Sequence, residues 1–324
     1  MNADSTEGRA VSPPLVRRDS NPIELGPDDV LCVSCVRNES LRLPYFLEYY
    51  RKLGIGRFIF IDNMSTDGTL EYLLKQGDAH VYSAAGSYAA SRCGVHWVNE
   101  VLQSHGMDRW SLTVDADELL VYPGCEDIDL PKLIRHLERE GVGCLQTFML
   151  DMYSDRPIRE TIYESGKDFL AVCPFFDGDS YSERGRRDLP QRGGPRHRLF
   201  WAGRNNPKPS PFLEKFPLTK WGPNIYYELS THIIPGSKAA AMTGALLHFK
   251  LFSDFYTKAA DEAARGEHWD EALQYRTYWN VLRADRELSA FYIESVRYKD
   301  SAQLVQLGLM NAGAAAGVVA AGQP

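Results

Sequence analysis

The order of apolar and polar positions in the first half of the chain predicts strands that alternate with helices. Val30–Val36 is a short apolar run typical of a buried strand, and apolar residues from Leu43 to Leu53 then recur at the spacing of one helix face. Further strands are predicted at 58–61, 80–82, 110–114 and 144–149, with helices between them at 68–77, 88–104 and 130–140. Strands joined through helices imply right-handed crossovers, so we expect an α/β fold with a mostly parallel sheet flanked by helices.

The ends of the chain and its second half have a different pattern. Residues 1–28 are polar and lack the apolar core of a secretory signal, so a disordered leader is expected there. Residues 184–220 hold ten lysines and arginines against two acids, which predicts an irregular basic segment. Helical spacing returns over 252–292, and the Ala/Gly-rich residues 312–324 are predicted to form a disordered tail.

Composition adds limits on the class of protein. The 324 residues carry a net charge of −7, which argues against a general nucleic-acid-binding protein. No apolar stretch approaches the roughly 18 residues of a membrane-spanning helix, so we expect a cytoplasmic protein with reduced cysteines. Cys32 and Cys35 lie three positions apart on a predicted strand and should point to opposite faces, which disfavours a metal or redox pair.

Three acids follow the predicted strand that ends at Val114. Asp115, Asp117 and Glu118 would repel one another at the end of a buried strand unless a cation lies between them. A hard divalent ion such as Mg²⁺ or Mn²⁺ prefers oxygen ligands and can bridge a diphosphate. We therefore expect a metal and phosphate site here; the alternative is a solvated acidic turn.

Polar residues also follow the first two predicted strands. Asp62 and Asn63 come directly after one of them, where a carboxylate can accept hydrogen bonds from a base or a ribose. Asp67, a few residues further on, is explained equally well as a helix cap. Arg37 and Glu39 follow the other strand, and an ordinary strand-to-helix loop is the alternative interpretation for them.

Taken together, these motifs resemble glycosyltransferase family 2, whose members have the GT-A fold. Their order and separation match that family, and the resemblance covers about residues 30–285. The motifs that carry it are Val36-Arg-Asn-Glu39, Leu43-Pro-Tyr-Phe46, Ile61-Asp-Asn-Met-Ser-Thr-Asp-Gly-Thr69, Asp115-Ala-Asp117, Gly193-Gly-Pro-Arg-His-Arg198 and Leu246-Leu-His-Phe-Lys250. The resemblance implies a GT-A domain at 29–285, with a nucleotide-binding half at 29–120, an acceptor and metal half at 121–250, and a C-terminal helical extension at 251–311.

The resemblance also implies roles for single residues. Glu39 and Asp62 would contact the nucleoside, Asp115 would touch the ribose, and Asp117 would bind the metal ion. His248 would complete the metal or diphosphate site; the alternative is a buried core histidine. The donor would be a nucleotide sugar, most often a uridine diphosphate sugar, and the reaction would invert the anomeric carbon.

Five further residues are candidates for donor binding besides these acids. Arg196 and Arg198 are two positions apart, so on a strand they would share one face and clamp a diphosphate or an anionic acceptor; a solvated basic hairpin is the alternative. Asn63, like Arg37, belongs to a donor-binding motif. Arg92, on the helix predicted at 88–104, would reach the nucleotide unless it forms a surface salt bridge.

An inverting transfer needs one general base near the acceptor hydroxyl. The Glu-Asp pair that usually supplies this base in the family is absent from its expected place. Asp151 and His232 are therefore the catalytic candidates, with Glu228 as a third. For each of them, a loop residue with a local hydrogen bond is an equal alternative.

The sequence thus predicts a metal-dependent glycosyltransferase that uses Mn²⁺ or Mg²⁺, a nucleotide-sugar donor and a glycan or lipid-linked acceptor. The basic residues 184–220 would form the acceptor side and could meet an anionic membrane at its inner face. A non-catalytic nucleotide-sugar-binding protein of a glycan-assembly complex is the alternative. The first strand is not followed by the glycine-rich turn of nicotinamide oxidoreductases or sugar nucleotidyltransferases, which disfavours both classes.

Overall fold

The computed structural model describes residues 13–185 and 188–313. The strands are β1 (Val16–Arg17), β2 (Leu31–Val36), β3 (Arg57–Asp62), β4 (Ala79–Ser83), β5 (Trp110–Thr113), β6 (Glu118–Val121), β7 (Cys144–Asp151), β8 (Phe175–Asp177), β9 (Glu183–Arg184), β10 (Pro190–Arg192), β11 (Glu214–Lys220), β12 (Ala239–His248) and β13 (Ser295–Arg297). The helices are α1 (Leu43–Lys52), α2 (Thr69–Leu73), α3 (Val95–His105), α4 (Leu130–Arg139), α5 (Phe169–Val172), α6 (Gly194–Phe200), α7 (Phe255–Arg265), α8 (Trp269–Ala284) and α9 (Ser301–Gln306). Nine strands form one central sheet in the order β1-β4-β3-β2-β5-β11-β7-β12-β6.

The predicted α/β class is confirmed, and the central sheet is mixed. β4, β3, β2 and β5 run parallel to one another. β11 then runs antiparallel between β5 and β7, β12 lies parallel to β7, and β6 closes the edge antiparallel to β12. The parallel strands β2, β3 and β5 therefore end at the same edge of the sheet, where ligands of α/β sheets bind.

Helices cover both faces of the sheet, with α1 and α4 on one face and α3 on the other. This is why the central strands are largely apolar in the sequence. On β3, Phe60 packs into the core of one face and Ile61 into the core of the other. Cys32 and Cys35 on β2 likewise point to opposite faces, as predicted, and burial raises the pKa of both thiols.

The disordered leader expected at 1–28 is wrong for its described part. Val16–Arg17 pairs antiparallel with β4 at the edge of the sheet, and Asp19 accepts a hydrogen bond from the backbone N–H of Val81. A strand of two residues has no periodicity, so the sequence pattern could not reveal it. Residues 1–12 and 314–324 lie outside the described residues, and the predictions made for them stay predictions.

Two segments near the edge of the sheet also differ from expectation. The helix expected at 88–104 begins only at Val95, because Arg92 and the two residues after it have positive φ and place Arg92 in a loop. Arg196 and Arg198 were expected on a strand but lie on α6, where a separation of two residues turns their side chains to different sides. Within 13–185 and 188–313, no helix combines the length and apolar character needed to cross a bilayer.

Candidate active site

A cleft of about 880 Å³ opens at the edge of the sheet where β2, β3 and β5 end. Its other side is lined by α7, α8 and the segment 206–212. Most of the residues proposed from the sequence line this cleft: Arg37, Glu39, Asn63, Arg92, Asp115, Asp117, Arg196, His232 and His248. The others, Asp62, Asp151, Arg198 and Glu228, lie outside it.

Asp117 and His248 meet in the cleft because their strands are neighbours. His248 ends β12, where its Cα pairs with Glu118 on β6 and with Asp151 at the end of β7. Nε2 of His248 lies 3.4 Å from Oδ2 of Asp117, and Nδ1 lies 2.5 Å from Oδ1 of Asp151. Nε of Arg196 donates to the other oxygen of Asp151 at 2.7 Å. A continuous chain of ionisable groups therefore runs from Arg196 to Asp117.

This chain of contacts fixes the orientation of the imidazole. Burial alone would raise the pKa of Asp151, but Arg196 and His248 outweigh it and hold that pKa below its ordinary value. An ionised carboxylate only accepts hydrogen bonds, so Nδ1 of His248 carries a proton and Nε2 is directed toward Asp117. Burial alone would lower the pKa of His248, but the two carboxylates raise it.

Asp151 therefore orients His248, which matches the alternative of a residue with a local hydrogen bond and argues against Asp151 among the candidate bases. Its side chain is 1% exposed and both of its oxygens are bound. An acceptor hydroxyl in the cleft has no access to it. The strand that carries Asp151 does end at the site, as the sequence indicated, but the carboxylate lies behind the imidazole.

Lys250, two residues after His248, also contacts Asp117. Its Nζ lies 3.6 Å from Oδ2 of Asp117 and 3.5 Å from the hydroxyl oxygen of Tyr275. Burial alone would raise the pKa of Asp117, but Lys250 and His248 outweigh it and hold that pKa well below its ordinary value. Asp117 is therefore a carboxylate that faces both an ammonium and an imidazole.

The other two acids share a second lysine. Nζ of Lys215, on β11, lies 2.6 Å from Oε1 of Glu118 and 3.1 Å from Oδ2 of Asp115. Glu118 is fully buried, whereas the side chain of Asp115 is 57% exposed and lines the cleft. Burial opposes the charge of Lys215, but the two carboxylates raise its pKa above the ordinary value. The sequence predicts a cation among the three acids. For Asp115 and Glu118, that cation is the ammonium of Lys215.

Asp117 and His248 are the cleft residues that the sequence analysis assigns to a divalent ion, and they lie next to each other. In the described part of the chain, no group of three or more His, Cys, Asp or Glu side chains is arranged to hold a metal. Asp117 and His248 nevertheless have suitable chemistry, because the second imidazole nitrogen is held by a carboxylate, as it usually is in metal-binding histidines. Mg²⁺ is often bound by one or two protein groups together with substrate phosphates. The residues present therefore fit an ion that is held jointly with a diphosphate.

The loops after β2 and β3 form the opposite end of the cleft. The side-chain amide of Asn63 donates to the carbonyls of Ala84 and Gly86 and accepts from Arg265 on α7. Arg37 donates to two backbone carbonyls of the loop after β3. These two residues, expected to bind the donor, shape the loop that borders the cleft.

The two acids expected to contact the nucleoside have different positions. Lys258 on α7 donates to Oε1 of Glu39 at 2.6 Å, and Arg42 lies 3.6 Å from Oε2. Burial raises the pKa of Glu39, although both cations oppose it. Asp62 lies beneath the cleft, where its Oδ2 accepts from the backbone of Ser65 and its Oδ1 has no hydrogen-bond partner among the described residues. Glu39 can therefore touch a ligand directly, whereas Asp62 supports the loop.

The expected clamp of two arginines does not form. Arg196 reaches Asp151, whereas Arg198 donates to Asp177 at 2.9 Å and to the carbonyl of Ala290 at 2.8 Å. Only the first of the two lines the cleft. Two residues separated by one position share a face on a strand, but on the helix α6 their side chains point to different sides.

Of the three candidate bases, His232 is the one that lines the cleft. Its Nδ1 contacts the backbone carbonyl of Glu214, which leaves Nε2 as the proton-accepting nitrogen. Burial lowers the pKa of His232 to about 4, and the charge of Lys215 adds to the effect. The ring is therefore neutral at physiological pH and weakly basic. Glu228 is exposed and lies outside the cleft.

The lysines of the cleft are the residues that the sequence analysis missed. Lys215 lies 100 residues from Asp115, and Lys258 lies 219 residues from Glu39, so no local pattern marks either contact. Lys250 ends the motif that contains His248, and this spacing of two residues is a signal that could have been used.

No known protein family matches the sequence, and no curated protein matches it. The chain is similar to a solved structure assigned as a glucose-1-phosphate thymidylyltransferase of Bacillus anthracis, with 10% identity and a TM-score of 0.28 over 78% of this chain and 83% of the other. It is similar to HddC from Yersinia pseudotuberculosis, with 10% identity and a TM-score of 0.33 over 72% and 98%. A third, 4-diphosphocytidyl-2C-methyl-D-erythritol synthase, has 12% identity and a TM-score of 0.28 over 87% and 99%. At these values the likenesses say nothing about the activity of this chain.

Proposed function

We propose that this chain is a metal-dependent glycosyltransferase with a GT-A core, which moves a sugar from a nucleotide-sugar donor to a glycan or lipid-linked acceptor. A uridine diphosphate sugar is the proposed donor, and the proposed reaction inverts the anomeric carbon. The observation that carries the proposal is the pair formed by Asp117 and His248, whose side chains approach to 3.4 Å in the cleft. This pair lies where ligands of α/β sheets bind.

The donor would lie in the cleft with its diphosphate beside Asp117. Mg²⁺ or Mn²⁺ bound by Asp117 and Nε2 of His248 would supply positive charge to the diphosphate leaving group. Asp151 keeps the imidazole oriented for this contact. Asp115 would face the ribose, with Lys215 balancing its charge.

His232 would act on the acceptor. Its neutral ring would accept the proton of the acceptor hydroxyl while the hydroxyl oxygen bonds to the anomeric carbon. The bond from that carbon to the diphosphate oxygen breaks, and the nucleoside diphosphate leaves with the electron pair. A pKa of about 4 makes the ring a weak base, and a negatively charged donor beside it would raise this basicity.

Calorimetric titration with uridine diphosphate, with and without Mn²⁺, tests the donor site. We expect Mn²⁺-dependent binding to the wild type and its loss in Asp117→Asn. Asp127→Asn is the matched control, because Asp127 is exposed and lies outside the cleft, and it should bind like the wild type. Failure of the wild type to bind uridine, guanosine and thymidine diphosphates would refute the proposal.

A non-catalytic nucleotide-sugar-binding protein is the second candidate, and the position of Asp151 favours it. Because this carboxylate is bound by Arg196 and His248, proton transfer in the proposed reaction depends on the weakly basic His232. Donor binding without transfer to any acceptor, water included, would support this candidate against the transferase.

We also propose contact with an anionic membrane, but the fold leaves fewer basic residues available for it than the sequence indicates. Among the basic residues of 184–220, Arg196 and Lys215 are buried on carboxylates and Arg198 is paired. The proposal then depends on exposed residues such as Arg204 and Lys208. Sedimentation with vesicles that contain or lack anionic lipid tests it, and equal binding to both would remove it.

A further inference from the structure

The oxygen of Asp117 that would bind a metal ion already faces a lysine of its own chain. Nζ of Lys250 lies 3.6 Å from Oδ2 of Asp117, and Nε2 of His248 lies 3.4 Å from the same oxygen. The side chain of Asp117 is 12% exposed and that of Lys250 is 17% exposed, so solvent screens their charges little. A divalent ion that binds between Asp117 and His248 therefore meets an ammonium at close range.

The surroundings of Lys250 offer its ammonium few other anionic partners. Among the described residues, Asp117 is the one carboxylate within 4 Å of Nζ. Lys250 also contacts aromatic side chains: the hydroxyl of Tyr275 at 3.5 Å, and the rings of Tyr275 and Phe255 with centroids at 5.6 and 5.9 Å. If a metal ion takes Asp117, the ammonium needs a new anionic partner in the cleft. A diphosphate oxygen bound to the same ion would be such a partner.

We propose that Lys250 makes the divalent ion and the nucleoside diphosphate bind as a unit, by occupying Asp117 in the free protein and moving to a diphosphate oxygen when both arrive. An ion alone is opposed by the ammonium, and a diphosphate alone is opposed by the carboxylate. Together they replace one ion pair with two, Asp117 with the ion and Lys250 with the diphosphate. Each ligand then raises the affinity for the other by the same factor. The inference rests on the proposed function and adds a determinant of ligand specificity to its site.

Lys258 provides a matched comparison within the same cleft. It is also a lysine that lines the cleft and pairs with a shielded acid, but that acid is Glu39, at 2.6 Å. Replacing either lysine by methionine removes one positive charge from the cleft. Only the replacement of Lys250 removes a positive charge that faces Asp117 directly.

Calorimetric titration with Mn²⁺ in the absence of nucleotide tests the inference on the wild type, Lys250→Met and Lys258→Met. We expect weak binding to the wild type, binding at least about tenfold tighter to Lys250→Met, and a clearly smaller change in Lys258→Met. With saturating Mn²⁺, Lys250→Met should bind uridine diphosphate at least about tenfold more weakly than the wild type. Tighter binding of Mn²⁺ together with weaker binding of uridine diphosphate in one variant is the result expected if Lys250 interacts with Asp117 in the free protein and with the diphosphate in the complex.

Unchanged Mn²⁺ affinity in Lys250→Met, or an equal gain in Lys258→Met, would overturn the inference. If Lys250→Met does not fold, the wild type alone decides. Its affinity for Mn²⁺ must rise at least about tenfold when uridine diphosphate is present, and independent binding of the two would overturn the inference. Wild type that binds neither ligand in any combination would instead refute the proposed function.

Discussion

Replacement of Asp151 by asparagine tests the chain of buried contacts behind the cleft. Asp151 is 1% exposed and its oxygens lie 2.7 Å from Nε of Arg196 and 2.5 Å from Nδ1 of His248. Asparagine keeps the size of the side chain but removes its charge, which leaves a buried guanidinium without its carboxylate. Removing one partner of a buried ion pair costs about 3–5 kcal/mol, so we expect the free energy of unfolding in urea to fall by about that amount.

The same variant should also weaken metal binding, because His248 loses the group that orients it. An amide presents one acceptor and one donor atom, so it no longer fixes the proton on Nδ1. Loss of such a group behind a metal-binding histidine typically costs about 10- to 100-fold in metal affinity. We expect a decrease of about that size for Mn²⁺, measured by calorimetry with saturating uridine diphosphate.

Asp177→Asn is the matched control for this experiment. Asp177 is also fully buried and accepts a hydrogen bond from an arginine, Arg198 at 2.9 Å, but it lies outside the cleft. Asp177→Asn should lose stability, although less than Asp151→Asn because the side chain of Arg198 is 28% exposed, and it should keep its affinity for Mn²⁺. Equal losses of Mn²⁺ affinity in both variants, or none in Asp151→Asn, would refute the positioning of His248 by Asp151.

Three further predictions concern the edge of the sheet, α6 and the acceptor side. Burial would raise the pKa of Asp19, but Arg17 and neighbouring hydrogen bonds lower it to about 2. A depressed pKa stabilises the fold above the unfolded pKa of about 3.9, and this contribution is lost as the pH falls through the folded pKa. Asp19→Asn should therefore be less stable than wild type to urea at pH 7 and match it only below about pH 2; equal stability at pH 7 would mean that β1 is not held by Asp19. Arg198→Met should unfold at lower urea concentration and still bind uridine diphosphate like the wild type. Weaker binding would mean that Arg198 contributes to donor binding. His232→Ala should keep donor binding and lose about 10²- to 10⁴-fold in transfer rate, and an unchanged rate would exclude it as the base.

The central strands and the edge that carries the cleft could be predicted because burial on both faces leaves a strong signal. Phe58–Ile61 is apolar at every position, and the strand ends where polar residues begin. β1 could not be predicted, since its two residues are held by pairing with β4 and not by a pattern of their own. The positions of Arg196 and Arg198 were misjudged because two arginines separated by one residue fit a strand face as well as a short helix.

The acids of the site could be predicted because parallel strands end at one edge, which brings Asp115 and Asp117 to the cleft. The partners of these acids could not. Lys215 contacts Asp115 from 100 residues away, and Asp151 meets His248 from 97 residues away, through a register that only the folded sheet defines. The cationic partners of these acids could therefore be identified only in the folded structure.

Release of nucleoside diphosphate from a nucleotide sugar is the most direct measure of the proposed transferase activity. The wild type, Asp117→Asn and Asp127→Asn would each be incubated with uridine diphosphate sugars, with Mn²⁺ or with a chelator, and uridine diphosphate would be followed over time. We expect release from at least one sugar donor that requires Mn²⁺, is lost in Asp117→Asn and is kept in Asp127→Asn. Binding of uridine diphosphate without release from any uridine, guanosine or thymidine diphosphate sugar would contradict the account and leave a nucleotide-sugar-binding protein.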